Sequence, residues 1–383
     1  MDLRQFIYNK IKKYGKISRS ELSKKYKLRQ ASVTEVSRDM IRDGLIIEGD
    51  VAASTGGRKP VFLELNQEAF YVVAVEVGKS FMTATVFTAE MKSVFSAKSE
   101  ISVNVNSEGF TKQLITLIND VMYDSDIPRQ KFSAIGIGMS GTVDIENGVF
   151  EGMPNLRNVK DVALKREIER SFGLIVVLEH DVAAILAAEC AFRNITLTEN
   201  TGVIYIDEGI GSAFNLNGTI YRGSYNGAGE FGHISINHKG RPCYCGRNGC
   251  LEQYASTINL TKDAQVDSFE AVIKEYRDGN AETIKIFNES AEVILSIIDN
   301  VCSLLDLKKL IICGEFVKAG DIFREFAEKQ EFKYRFSFDH NYSEANSTTE
   351  IIFSKDAERS SIYGPGVLAA RETFEELGIV RYV

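Results

Sequence analysis

Tryptophan is absent from the 383 residues, and cysteine is scarce, at six. So few thiols in so long a chain make no disulfide framework, and the expected compartment is a reducing cytoplasm. Long apolar runs are missing as well. None approaches the roughly 20 residues that span a bilayer, so no membrane role is expected. The N-terminal MDLRQFIYNKIKKYGK has no apolar core followed by small residues and does not read as a secretion signal. What remains is ordinary for a soluble globular protein, with 44% hydrophobic and 26% charged residues. The length points to two or three domains.

Positive charge is scarce overall, since the net charge is −8. That argues against a general nucleic-acid binder, but the average hides a split. Residues 1–60 hold 14 Lys and Arg against 7 Asp and Glu, and the remainder holds 31 against 46. A basic head on an acidic body suggests a small polyanion-binding module joined to a larger domain.

The head reads as a winged helix. RQFIYNKIKKYG carries Phe6, Ile7 and Ile11 at helical spacing, with Gly15 closing it. SRSE then offers a capping box from Ser18 to Glu21. SVTE offers a second, from Ser32 to Glu35, predicting a helix to about Asp43 with Val33, Val36, Met40 and Ile41 on its buried side. LIIEGD and VFLELN flank the Gly-rich, basic VAASTGGRKP as a β-hairpin wing. The second helix of such a helix-turn-helix can enter the major groove of double-stranded DNA. Gln30, Ser32, Thr34 and Ser37 are the expected base-edge contacts. Arg29, Arg38, Arg58 and Lys59 are the expected partners of phosphate or minor groove.

From residue 70 the pattern becomes α/β. YVVAVEVG, MTATVFTAEM and SVFSAKSEISV read as three consecutive strands. A helix near 107–123, the strand SAIGIGMSG, a helix over 161–172 and the strand GLIVVLEHD follow. TGVIYIDEGIGSAFNLNGTIYRGS opens a second such series. Two similar strand-rich starts suggest a duplicated architecture with a cleft between its halves. Three of the six cysteines fall within CYCGRNGC, residues 243 to 250. A disulfide, a reactive thiol and a metal site are the candidate explanations. Cys190, Cys302 and Cys313 sit in apolar patterns and are expected to be buried.

These residues resemble the ROK family (repressors, open reading frames and sugar kinases). The likeness runs over roughly residues 70–375, and its strongest piece is GAGEFGHISINHKGRPCYCGRNGCLEQYAS, residues 227–256. With the head it covers nearly the whole chain, in the arrangement of the family's transcriptional repressors. The resemblance implies a duplicated actin-like, hexokinase-like (ribonuclease H-like) fold. The expected domains are a winged helix-turn-helix over 1–66 and a sugar-kinase-like effector domain over 67–383. The latter divides into lobes at 67–180 and 181–383.

Three cysteinates and an imidazole form a closed tetrahedral zinc set. Cys243, Cys245 and Cys250 supply the sulfurs. His233, ten residues upstream, is the expected fourth ligand, and the resemblance implies the same four. Gly246 and Gly249 let the short loop fold tightly enough. One structural Zn²⁺ per chain is the expectation, with His238, the rival ligand on proximity, in solvent.

The resemblance further implies a sugar bound hydroxyl by hydroxyl, at Asn155, Asp181, Glu230, His233 and Glu252. Asp181 matches the kinases' general base. His233 would use one nitrogen for zinc and the other for sugar. The phosphate loops depart from the kinase pattern. The first reads Glu76-Val77-Gly78-Lys79-Ser80, the second Asp207-Glu208-Gly209-Ile210-Gly211-Ser212, and Gly314-Glu315 replaces a later Gly-Gly. Phosphoryl transfer rests on positioning and charge stabilisation, so these changes predict no catalysis. His180 before Asp181 resembles the repressor branch, and Val159 stands where family members often carry tryptophan.

The resulting expectation is a cytoplasmic, sugar-responsive repressor of carbohydrate-utilisation genes. It would act as a homodimer or tetramer on operator DNA, with a small sugar or sugar derivative as effector. An active sugar kinase with a DNA-binding head is one alternative. A regulator governed by a protein partner is another.

Overall fold

The computed structural model of the chain describes residues 2–51, 61–196, 198–330, 334–355 and 357–379. These form two compact units. One comprises the chain through Thr142, Glu146–Glu179 and the residues from Pro365 on; the other comprises Val143–Ile145 and His180–Gly364. Among the described residues no helix is long and apolar enough to cross a membrane.

The basic head lies in the first unit. Helix α1 (Leu3–Tyr14) buries Ile7, Tyr8 and Ile11, spaced to fall on one face, and ends at Gly15 with φ +74°. Strand β1 (Lys16–Ser18) is a short strand that hydrophobic periodicity did not signal. Ser18 ends it and caps α2 (Arg19–Tyr26). Its hydroxyl accepts from the Glu21 N–H at 3.2 Å, and the Glu21 carboxylate accepts from the Ser18 N–H at 2.8 Å. The capping box read from SRSE is therefore present.

The box read from SVTE is not. Helix α3 (Gln30–Arg42) opens two residues before Ser32, with Arg29 at its N-cap and no side-chain cap. The Val33 N–H already bonds to the Arg29 carbonyl at 3.1 Å, so Ser32 is inside the first turn. A second correction concerns Ser37. Val33, Ser37 and Met40 form the buried stripe of α3, and Ser37 is 0% exposed. Its hydroxyl donates to the Val33 carbonyl at 2.6 Å, so it faces the core and not DNA. Val36 and Ile41 are only half-buried. Strands β2 (Ile46–Val51) and β3 (Val61–Leu65) pair antiparallel, and β1 joins on the far edge of β3. The wing tip, with Arg58 and Lys59, lies outside the described residues.

The first unit continues through β4 (Tyr71–Val77), β5 (Phe81–Thr88) and β6 (Ser93–Glu100), then α4 (Ser107–Asp124) and β7 (Phe132–Met139). After β8 (Thr142–Asp144) and β9 (Val149–Gly152) come α5 (Leu164–Phe172) and β10 (Ile175–His180). The sheet order is β10-β7-β4-β5-β6; β4 runs antiparallel to β5 and parallel to β7. Val72 to Val75 are all 0% exposed, as suits a strand covered on both faces. Helix α4 packs Phe110, Leu114 and Ile118 inward, and Phe110 stacks on Phe150 at 5.5 Å. The head is tied to this body. Tyr8 of α1 donates to the Glu90 carboxylate at 3.0 Å and meets the Phe374 ring edge-on at 5.5 Å, and Phe70 meets Phe374 at 4.8 Å.

The second unit repeats the scheme. Helix α6 (Asp181–Arg193) is followed by β11 (Thr201–Ile206), β12 (Ile210–Leu216) and β13 (Thr219–Ile220). Helices α7 (Glu252–Ala255), α8 (Thr257–Asp263), α9 (Phe269–Arg277) and α10 (Ala281–Leu305) intervene before β14 (Lys309–Cys313). Then come α11 (Gly320–Glu328), β15 (Phe336–Ser337), α12 (His340–Asn346), β16 (Thr349–Phe353) and α13 (Ala357–Glu376), whose residues from Pro365 on belong to the first unit. The sheet order β13-β12-β11-β14-β16-β15 matches the first sheet strand for strand, apart from the added β15. An antiparallel trio followed by parallel strands in both units is the duplicated α/β architecture expected from the sequence. Ile294, Leu295 and Ile298 of α10 pack with Phe287 and Phe316 over the second sheet. Cys190, Cys302 and Cys313 are buried, and burial pushes the Cys190 thiol up to about 12 and Cys302 up to about 11.

Removing the α2 cap tests the head. Ser18→Ala should destabilise the head by about 1 kcal/mol at neutral pH, seen as faster hydrogen exchange in α2. The Ser18 N–H, then its hydroxyl, hold the Glu21 carboxyl below its ordinary 4.5. That contribution is complete above the unfolded value and fades as pH falls through the folded one. The gap between wild type and variant should therefore narrow on acidification.

Candidate functional site

In the second unit, a single turn of 3₁₀ helix (Phe231–His233) presents His233, and a knuckle of chain presents three sulfurs. Backbone bonds shape the knuckle. The Cys243 N–H donates to the Arg247 carbonyl at 2.8 Å, and the Gly246 N–H to the Cys243 carbonyl at 3.0 Å. Ser235 and Cys250 form an antiparallel bridge that sets the knuckle beside the histidine turn. Gly246 and Gly249 have φ +86° and +72°, and a Cβ at Gly249 would lie 1.7 Å from the Asn237 carbonyl oxygen. Only glycine fits there.

The four donor atoms of His233, Cys243, Cys245 and Cys250 lie within 4.8 Å of one another. His233 Nδ1 is 3.6 Å from Cys243 Sγ, and Cys245 Sγ is 3.6 Å from Cys250 Sγ. With metal–sulfur bonds of about 2.3 Å and metal–nitrogen bonds of about 2.0 Å, a tetrahedron sets sulfurs roughly 3.8 Å apart and sulfur and nitrogen roughly 3.5 Å apart. The donor set fits a metal of that kind. A disulfide does not fit, since the cysteines are free. The thiols differ sharply. The Arg247 backbone N–H draws the exposed Cys245 down to about 6, while burial pushes Cys250 up to about 12. A cation is what allows all three to be thiolates together. His238 is exposed and stands outside this set.

The other imidazole nitrogen faces away from the sulfurs. His233 Nε2 is 3.2 Å from the Tyr244 hydroxyl and 3.9 Å from the Glu230 carboxylate, whose side chain is 69% exposed. Glu252, at the start of α7, is buried, and its carboxylate accepts the Ile210 N–H at 3.0 Å. Desolvation, then the negative charge of this carboxylate, raises the Tyr244 phenol above its ordinary range. Glu230 thus lies beside His233, Glu252 borders the 207–212 loop, and Tyr244 is a further member on the same imidazole nitrogen. Tyr244 is a member that reading missed. Its only signal was its place between two cysteine ligands.

Asp181 is the first residue of α6, with His180 at the N-cap, and accepts the Val182 N–H at 2.7 Å. Val182 packs against Gly211, while Glu252 packs against Gly209. Asp181 and Glu252 therefore border the same short loop. Asn155 belongs to the first unit, where its amide donates to the Lys79 carbonyl of the 76–80 loop.

The 207–212 turn joins β11 to β12, and several of its backbone donors are engaged from within. The Glu208 N–H bonds to Asp207 Oδ1 at 2.8 Å, Ile210 N–H to Glu252, and Ser212 N–H to the Gly229 carbonyl at 2.9 Å. The Glu315 N–H donates to Asp207 Oδ2 at 3.2 Å. Asp207 thus links the 207–212 turn to the 3₁₀ turn that begins at Glu315.

In the head, Arg29, Gln30 and Arg38 are exposed, and Ser32 and Thr34 are half-buried. The Thr34 hydroxyl donates to the Gln30 carbonyl at 2.8 Å.

Among known proteins, the chain is 26% identical over 330 residues to the DNA-binding transcriptional dual regulator NagC of Escherichia coli, covering 82% of this chain and 81% of that one. It is 30% identical over 264 residues to the xylose repressor of Bacillus subtilis, covering 68% of this chain and 67% of that one. A crystal structure of a ROK family transcriptional regulator, a homologue of the E. coli Mlc protein, superposes with a TM-score of 0.75 at 24% identity and covers 96% of each chain. A ROK hexokinase from Thermus thermophilus superposes with a TM-score of 0.66 at 20% identity, covering 80% of this chain and 100% of that one. The fold is thus shared with both repressors and kinases. The ROK family model matches residues 72–372, and the chain belongs to the ROK family.

Proposed function

We propose that the protein is a sugar-responsive, DNA-binding transcriptional repressor of carbohydrate-utilisation genes, with a DNA-binding head over 1–66 and a sugar-binding effector domain over 67–383. One observation carries this reading beyond the family. The polar set for a hydroxylated ligand, His233, Glu230 and Glu252, is intact, while Asp207 occupies the Glu315 amide where phosphate would bind. A body that can hold a sugar and not a nucleotide, behind a basic winged head, suits a sensor. The names of NagC and the xylose repressor agree with it. Asp207 and Glu208 add negative charge where ATP would need the opposite.

One structural Zn²⁺ per chain would be held by His233, Cys243, Cys245 and Cys250. Bound, it supplies a fixed point for the His233 ring and fixes its tautomer. With Nδ1 directed at the sulfurs, Nε2 carries the proton and donates to an incoming hydroxyl. Glu252 and Glu230 accept from hydroxyls on the same ligand, with Asp181 and Asn155 as the remaining expected contacts. The sugar changes operator affinity only through unequal affinity for two conformations of the protein. Arg29, Arg38, Arg58 and Lys59 would meet phosphates, and Gln30, Ser32 and Thr34 base edges. A dimer would supply the two-fold of a palindromic operator.

Cys245→Ser should lose the metal and the sugar response together, measured as zinc per chain by elemental mass spectrometry and operator affinity with and without sugar. Full sugar response without zinc would reduce the knuckle to a fold staple. Operator binding across glucose, N-acetylglucosamine, N-acetylmannosamine, xylose, fructose and phosphorylated sugars should shift with at least one, and no shift across the panel would sink the effector reading. Mg-ATP and hexose should release no ADP above background; steady turnover would establish the kinase alternative. Arg38→Ala should weaken operator binding and lower the slope of log affinity against log salt by about 1.

A further inference from the structure

The Tyr244 side chain does what a bound sugar hydroxyl would do. Its oxygen lies 3.2 Å from His233 Nε2, the nitrogen that faces away from the sulfurs, so one hydroxyl already occupies the hydrogen-bonding position on that nitrogen. The ring itself is poorly held. Tyr244 is 70% exposed, and its ring meets the His233 ring edge-on at 5.2 Å. The backbone bonds that shape the knuckle run between Cys243, Gly246 and Arg247, and none of them uses the Tyr244 side chain.

Resting on the sugar-binding reading above, we propose that Tyr244 is an internal competitor for the sugar site: its phenol occupies the hydroxyl position on His233 Nε2 and must leave before a sugar hydroxyl takes it. Two consequences follow from exchange of one hydroxyl for another. The apparent affinity for any sugar is lowered by the bonds Tyr244 gives up. A sugar presenting a hydroxyl to His233 Nε2 displaces the phenol, whereas one lacking it leaves Tyr244 in place. Tyr244 is therefore a specificity-determining residue, although it contributes no contact to the bound ligand.

Titration calorimetry with glucose, N-acetylglucosamine, N-acetylmannosamine and xylose tests this on the full chain, alongside zinc content. Tyr244→Phe keeps the ring and removes the competing hydroxyl. It should bind the responsive sugar roughly two- to tenfold more tightly, the net worth of one hydrogen bond, with zinc unchanged. Tyr244→Ala should do the same, and a sugar bound only by the variants would support the proposal further. If a sugar binds the wild type and Tyr244→Phe binds it equally or more weakly, the competitor role is wrong and the sugar reading stands. If no sugar binds wild type or either variant, both fall. Loss of zinc in both variants would make Tyr244 part of the knuckle and overturn the proposal.

Discussion

The imidazole of His233 has two nitrogens with unlike neighbours. Nδ1 is 3.6 Å from the Cys243 sulfur, and Nε2 is 3.2 Å from the Tyr244 hydroxyl. Everything else at the site depends on that division. The sulfurs can fix the ring only if the knuckle brings them to one side, which requires the close backbone approach at Gly249. The carboxylates can use the opposite nitrogen only if the ring is fixed. The same stretch of chain continues into α7, so the knuckle that holds the ring also positions Glu252.

Glu252 in turn joins this site to the neighbouring loop. Its carboxylate accepts the Ile210 N–H, and Gly209 packs against it. In the 207–212 turn Asp207 bridges to the Glu315 N–H, a half-buried amide of the kind that needs a partner. The chain shares its fold with the hexokinase.

The head is bound to its unit by aromatic packing as well as by covalent linkage. Tyr8 lies on the buried face of α1, yet its hydroxyl extends to Glu90 and its ring to Phe374. A residue that completes the head's core therefore also contacts the body. Changes in the body have a physical route to α1 through that ring.

Much of this was written locally in the sequence. The alternation and apolar runs of β4 to β7, the Ser18–Glu21 box and the grouping of Cys243, Cys245, Cys250 and His233 all depend on residues near one another in the chain. Local chemistry was enough to recognise them. It misled at SVTE, where the spacing of a capping box recurs inside a helix that starts two residues earlier. It misled again at Ser37, whose polar side chain satisfies itself on the Val33 carbonyl and so can be buried. It could not reveal Tyr244 against His233, or Asp207 against the Glu315 amide, which is 108 positions away. The sequence by itself determined the elements, the family and the donor atoms. Which nitrogen faces sulfur, which hydroxyl faces nitrogen and which amides remain for a ligand were decided only by tertiary structure, because hydrogen bonds between distant segments exist only once packing has fixed both partners.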